Sequence, residues 1–227
     1  MKPEDLKSPF PFAMRQILIQ DKVWFVPDYF DKYDTFTFPG FSDPQVFGNE
    51  QPVFLEYCSG NGSWIASKAK NNPLVNFVAC EIKFPRVRKI WAKMKNHFLN
   101  NLFTICGEGF NITKRYFLPS SIDRVFINFP DPWPKTRHFK HRIIQTAFIE
   151  ELARVLKTGG SVTFVTDDAP YSEWTIEKFL QNPAFVSHFP APYYANELAD
   201  YGTSYFEELW REKGRSIRYH QFVKKAI

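Results

Sequence analysis

The chain has 227 residues, 44% hydrophobic and 23% charged, with a net charge of +5 and a pI near 9.0. That length holds one α/β domain with a full core, the composition is that of a globular chain rather than a disordered or fibrous one, and no run of about 18 apolar residues exists to span a membrane. The charge is uneven: residues 82–107 hold six cations and no acid, residues 135–142 hold four cations and no acid, and the rest is net acidic. Two basic patches on an otherwise acidic chain point to a polyanionic partner.

Residues 1–50 are rich in Pro, Phe and Asp with little periodicity, and read as an irregular N-terminal extension to a domain over residues 51–227. The start, Met1-Lys2-Pro3-Glu4-Asp5, has acids and a proline in place of an apolar signal core. The three cysteines, Cys58, Cys80 and Cys106, match no metal-ligand spacing. An odd count without a signal peptide points to a reducing, cytoplasmic setting. From residue 52 strand and helix patterns alternate. Val53–Tyr57 reads as a strand, 62–70 as a helix, and 76–80 as a strand ending at Glu81. A helix over 86–99 has Val87, Ile90, Trp91, Met94 and Phe98 at helical spacing. Strands follow at 102–106 and 125–129. A helix over 139–156 ends at the pair Gly159-Gly160, read as its C-cap. A strand at 161–166, a helix at 171–181 and an antiparallel pair at 184–189 and 217–223 complete the pattern. This predicts an α/β fold: a single Rossmann-like domain with a mostly parallel sheet, a C-terminal antiparallel strand pair and helices on both faces. Ligands of such a sheet bind at the carboxyl ends of its strands.

Those strand ends carry acids. The first runs into Glu56-Tyr57-Cys58-Ser59-Gly60-Asn61-Gly62, a glycine turn that lets backbone approach a ligand closely. The second ends in Glu81, the position from which an acid meets ribose hydroxyls. The third ends in Cys106-Gly107-Glu108-Gly109. Gly60 and Gly62 alone are a weak signal; with Glu56, Glu81 and Glu108 in step they are stronger. Three carboxylates repel a pyrophosphate but suit a cation bearing an adenosine and an amino acid. S-Adenosylmethionine fits: its ammonium pairs with an acid near the first turn, its ribose with Glu81, its adenine amine near Glu108.

The fourth strand leads into Asn128-Phe129-Pro130-Asp131-Pro132-Trp133-Pro134-Lys135-Thr136-Arg137-His138-Phe139-Lys140-His141-Arg142. Three prolines in five residues make a stiff loop, which presents Asp131 and Trp133 to a planar polar ligand. Lys135, Arg137, Lys140 and Arg142 suit phosphate.

This block resembles the signature of the bacterial tRNA (guanine-N(7)-)-methyltransferase family, a Phe-Pro-Asp-Pro-Trp run followed by Lys and an Arg-His-x-Lys-x-Arg stretch. The likeness covers roughly residues 50 to 225, with the acid-glycine turn, Glu81, Glu108, Thr166-Asp167 and Thr203-Ser204-Tyr205. It implies a class I methyltransferase fold and methyl transfer from S-adenosylmethionine to N7 of a guanosine in the tRNA variable loop. It also implies that Glu56, Glu81, Glu108 and Asp131 touch the cofactor or the methyl-transfer site. Lys135, Asp167 and the segment from Thr203 through Tyr205 are implied to bind RNA. The family has glycine where this chain has Cys58. Its C-terminal Thr-x-Phe/Tyr-Glu pattern is interrupted here by Phe206, which leaves open whether Glu207 takes the role of that glutamate.

The residues agree with that chemistry. Guanine N7 has an exposed lone pair and needs no deprotonation, so alignment and water exclusion are the main tasks. Asp131, the expected catalytic residue, holds the base edge and offsets charge developing on the purine. Trp133 stacks on the base or packs beneath the loop. Two rival readings remain at this point: a methyltransferase acting on an exocyclic amine of RNA, since Asp131-Pro132-Trp133 is similar to the Asn/Asp-Pro-Pro-aromatic block of such enzymes, and a non-catalytic RNA-binding Rossmann-like protein.

Overall fold

The computed structural model describes residues 1–28 and 30–226. Tyr29 and Ile227, which fall in the expected extension and domain, lie outside the described residues. The chain divides into two compact units, Met1–Leu118 and Pro119–Ile227.

In the first unit, strand β1 (Leu18–Gln20) pairs antiparallel with β2 (Val23–Phe25). Asp21 and Lys22 turn the chain with φ of 52° and 62°, the pair of positive values that a two-residue hairpin needs. After β3 (Val53–Tyr57), β4 (Asn76–Glu81) and β5 (Leu102–Cys106), the pairings β2–β5, β5–β4 and β4–β3 are all parallel. Residues 1–50 were expected to be irregular; they contain two strands instead. Three residues are too few to show a period of two, and Trp24 is held by tertiary contacts: it is fully buried and stacks on Phe38 with centroids 4.5 Å apart. Helix α1 is Ser63–Asn71, α2 is Phe84–Asn96 and α3 is Gly109–Tyr116. Val87, Ile90, Trp91 and Met94 bury one face of α2, and Trp91 Nε1 donates to Asp21 at 2.9 Å, tying the hairpin turn to the helix. Phe98 does not continue that face. The helix ends at Asn96, Phe98 is left-handed at φ 53° and 86% exposed, and Leu99 is buried instead.

In the second unit, β6 (Ile122–Asn128) runs parallel to β7 (Leu156–Thr166). After β8 (Phe185–Ser187) and β9 (Arg218–Lys224), β7–β9 and β9–β8 are antiparallel. The expected C-terminal pair is thus present, with β9 also bonded to β7. Helix α4 (Thr146–Val155) buries Phe148, Ile149, Leu152 and Val155, α5 (Ala169–Leu180) buries Tyr171 and Phe179, and α6 is Tyr205–Glu212. The expectation of a helix over 139–156 capped by glycines is corrected. Residues Thr136–His141 form a 3-10 turn, α4 starts at Thr146, and β7 begins at Leu156 with the glycines inside it. The register of β6 against β7 shifts between Ile122 and Arg124. Gly160 sits at that shift, where a Cβ would come within 2.8 Å of the Asp123 and Lys157 carbonyl oxygens. The glycine pair therefore serves a bulge in a strand. Across both units the fold is α/β, with mostly parallel strands and the antiparallel pair near the C-terminus.

Candidate functional site

The carboxyl ends of the parallel strands in the first unit carry the acids expected there. Glu81, at the end of β4, is 3% exposed. Its Oε2 accepts from the Gly60 N–H at 2.9 Å and its Oε1 from the Lys83 N–H at 2.9 Å, with Arg86 Nη1 3.6 Å from Oε2. A carboxylate has about four acceptor positions, so capacity remains for hydroxyl donors. Glu56 on β3 is 2% exposed, and its carbonyl accepts from the Ser59 hydroxyl at 2.9 Å. Cys58 is left-handed at φ 58°. The turn keeps the conformation that a glycine adopts freely, at a cost of about 1–3 kcal/mol for a side-chain-bearing residue. Gly62 has no such latitude: at φ 72° a Cβ would meet Ile90 Cγ1 on α2 at 2.6 Å. The turn thus lies against α2, with backbone N–H groups and carboxylates lining it.

Glu108 precedes α3, and its two oxygens accept from the Phe110 and Asn111 N–H groups at 2.9 and 2.8 Å. It is an N-cap, half-buried, and the helix holds its side chain at the strand end. Burial raises the pKa of Asp28, and Glu108 raises it further, so a second acid stands near that end. Burial, then Asp28 and Glu81, push the Cys106 thiol up to about 12. Burial raises Cys80 too. Neither thiol is a poised nucleophile. Among the described residues no group of three or more His, Cys, Asp or Glu is arranged to hold a metal, and no helix is long and apolar enough to cross a membrane. The acceptor set fits S-adenosylmethionine: it would suit the cofactor's hydroxyl and amine donors, and its negative charge favours a cation over a polyphosphate.

In the second unit β6 ends at Asn128, which is 7% exposed and accepts from the Tyr201 hydroxyl at 2.5 Å. Phe129 N–H donates to the Val165 carbonyl at 2.9 Å. Phe129 and Trp133 are both left-handed, at φ 47° and 46°, and bracket Pro130-Asp131-Pro132. Asp131 is exposed. Trp133 does not pack beneath the loop. It is 37% exposed, and its ring lies 5.1 Å from His141 and 5.7 Å from His138.

The four cations expected to meet phosphate do not behave alike. Lys135, Arg137 and Lys140 are exposed. Arg142 is 3% exposed, which corrects the expectation that it reaches phosphate. Its guanidinium lies 3.8, 4.7 and 5.3 Å from the ring centroids of Phe139, Tyr171 and Trp174. Its Nε donates to the Pro132 carbonyl at 2.8 Å. Burial lowers its pKa, while Tyr171 and Asp168 act in the opposite direction.

Asp167 pairs with Arg215, and the next residue, Asp168, caps α5 through the Tyr171 N–H. Thr203 donates to Glu208 at 3.0 Å, and Tyr205 is 55% exposed. The Ser204 side chain accepts from the Glu207 N–H at 3.1 Å and so caps α6 as its N-cap. Glu207 is 4% exposed and accepts from the Tyr219 hydroxyl at 2.6 Å and Arg211 Nε at 3.1 Å. Its Oε2 is buried with no hydrogen-bond partner among the described residues. Tyr201, Arg211 and Tyr219 were not anticipated. Their signal is weak, because single aromatics and an arginine distant in sequence meet only through the β9 pairing.

Comparison with solved structures places the fold. The chain matches the 16S rRNA methyltransferase KamB with a TM-score of 0.56 at 17% identity, covering 79% of this chain and 91% of that one. It matches a SAM-dependent methyltransferase from Aquifex aeolicus with a TM-score of 0.54 at 17% identity, covering 78% of this chain and 85% of that one. The architecture is that of the class I S-adenosylmethionine-dependent methyltransferases. A family model described as a putative methyltransferase matches residues 50–219. The tRNA (guanine-N(7)-)-methyltransferase of Chlamydia muridarum is 44% identical over 100% of this chain and 99% of its own length. The chain belongs to the tRNA (guanine-N(7)-)-methyltransferase family.

Proposed function

We infer that this chain transfers a methyl group from S-adenosylmethionine to N7 of a guanosine in tRNA, and we propose the variable loop as the place of that guanosine. The observation that carries the reading is Asp131, exposed on a loop stiffened by three prolines and followed by exposed Lys135, Arg137 and Lys140, in a chain that belongs to this family over its full length. S-Adenosylmethionine supplies an electrophilic methyl group on a sulfonium centre. Glu56, Glu81 and Glu108 are assigned the donors of that cofactor. Asp131 is assigned two roles, a cofactor contact and the carboxylate that offsets positive charge on the purine as N7 gains the methyl group. N7 attacks through its own lone pair, so no residue has to remove a proton. Lys135, Arg137 and Lys140 are assigned phosphates. Asp167, Thr203, Tyr205 and Glu207 are assigned the nucleoside and its neighbours; the buried, unpartnered Glu207 Oε2 supports an acceptor role there. Residues 51–227 are assigned the methyltransferase domain and residues 1–50 its N-terminal extension.

A tRNA transcript made with 7-deazaguanosine tests the acceptor atom. It keeps every exocyclic amine and replaces N7 by carbon. Transfer to ordinary transcript and none to the 7-deaza form is the expected result. Equal transfer to both would overturn the assignment of N7.

A further inference from the structure

We propose that Arg142 is a positioning residue, which fixes the Pro132 carbonyl and with it the backbone that presents Asp131. The loop needs such a fixture. Phe129 and Trp133, two bulky residues, are left-handed on either side of Pro130-Asp131-Pro132, and strained backbone persists only where its surroundings over-determine it. The upstream end is held by β-type bonding, Phe129 N–H to the Val165 carbonyl at 2.9 Å. Proline offers no N–H to hold the downstream end. The Pro132 carbonyl is the group left to hold, and it accepts from Arg142 Nε at 2.8 Å.

A buried cation is costly unless it is compensated. Here the compensation comes from the ring faces of Phe139, Tyr171 and Trp174, with Asp168 adding negative charge nearby, a setting that a planar, weakly hydrated guanidinium fills better than a compact ammonium. The cage is itself tied down. Trp174 Nε1 donates to the Ile144 carbonyl at 2.7 Å, and Gln145 Nε2 to the Phe139 carbonyl at 2.7 Å. At 3% exposure Arg142 has no face left for phosphate. The inference rests on the methyl-transfer reading above and adds a residue that acts on turnover without touching the RNA.

The test compares Arg142→Ala and Arg142→Lys with wild type. It reads kcat at saturating tRNA and cofactor, tRNA affinity as a function of salt, and thermal unfolding. Misplacement of a reacting group by about 1 Å lowers turnover about 10²-fold. That loss is expected in both variants, with tRNA affinity and its salt slope unchanged. Recovery of turnover in Arg142→Lys, or a salt slope lower by about one unit, would make Arg142 a phosphate contact and overturn the proposal. Lowered stability with kcat per folded molecule preserved would make it merely structural and overturn the proposal as well. Should neither variant fold, Phe139→Leu keeps Arg142 and loosens its cage. Lower turnover at unchanged tRNA affinity is then expected, and undiminished turnover overturns the role. A wild type inactive on tRNA in the same assay would remove the methyl-transfer reading itself, whereas an active wild type with fully active variants removes only the positioning role.

Discussion

Asp131 is an exposed carboxylate in a loop that does not let it move far. If its charge offsets the cationic purine, Asp131→Asn keeps the shape and loses the charge, and Asp131→Ala loses both. Both should lower kcat by roughly 10²–10³, the loss seen when one preorganised electrostatic contact is removed. Steady-state kinetics on folded variants check this; wild-type turnover in either would exclude the role. A second residue sets a pH limit. His220 is fully buried, and burial lowers its pKa from 6.5 to about 4, against a bond to the Tyr193 carbonyl and with a small push from Arg218. The unfolded chain therefore takes the proton first as pH falls, and stability is lost between about 6.5 and about 4. The loss from this group should reach about 2 kcal/mol at pH 5. Denaturant unfolding at pH 7.5 and pH 5 checks it, with His220→Gln showing a smaller drop; an equal drop in both would exclude His220 as the cause. At this scale the sequence was most legible for acids at strand ends and least for Arg142. A run of cations looks uniform in sequence, and it is the aromatic residues of α5, some 30 positions away, that complete with Phe139 the cage turning one of them inward.

At the scale of elements, the turn after β3 depends on the end of β4. Glu81 holds the Gly60 and Lys83 N–H groups and is also the residue assigned to the ribose. Glu81→Ala should weaken S-adenosylmethionine binding by about 1.5–3 kcal/mol, the range for hydrogen bonds to a charged group. Calorimetry on the folded variant checks this, and unchanged affinity would remove Glu81 from the site. The strands that were legible, β3 and β5, are mostly apolar five-residue runs, each with one polar residue, Glu56 or Thr104, close to the pattern of buried parallel strands. The elements that were missed carried only short or weak local signals. Strands β1 and β2 have three residues each, and α3 and α6 are eight-residue helices that begin at Glu108 and Ser204 caps. Gly159-Gly160 carried a true signal with two meanings. A glycine pair after a helical pattern marks a C-cap or a bulge, and the β6–β7 register selects the bulge.

For the whole molecule, charge decides how RNA is met. If exposed Lys135, Arg137 and Lys140 meet phosphates, tRNA affinity should fall steeply with salt. Neutralising Arg137 and Lys140 together should flatten the salt slope by about one unit per residue while leaving cofactor affinity unchanged. Affinity independent of salt would contradict this. The fold class was legible because alternating strand and helix patterns admit few arrangements. The division at Leu118 was not, since no composition shift marks it. The most direct measurement of the central claim is incubation of the protein with unmodified bulk tRNA and methyl-labelled S-adenosylmethionine, followed by digestion to nucleosides. The expected result is label in N7-methylguanosine alone. Label in an N2- or N6-methylated nucleoside, or none in tRNA, would contradict it.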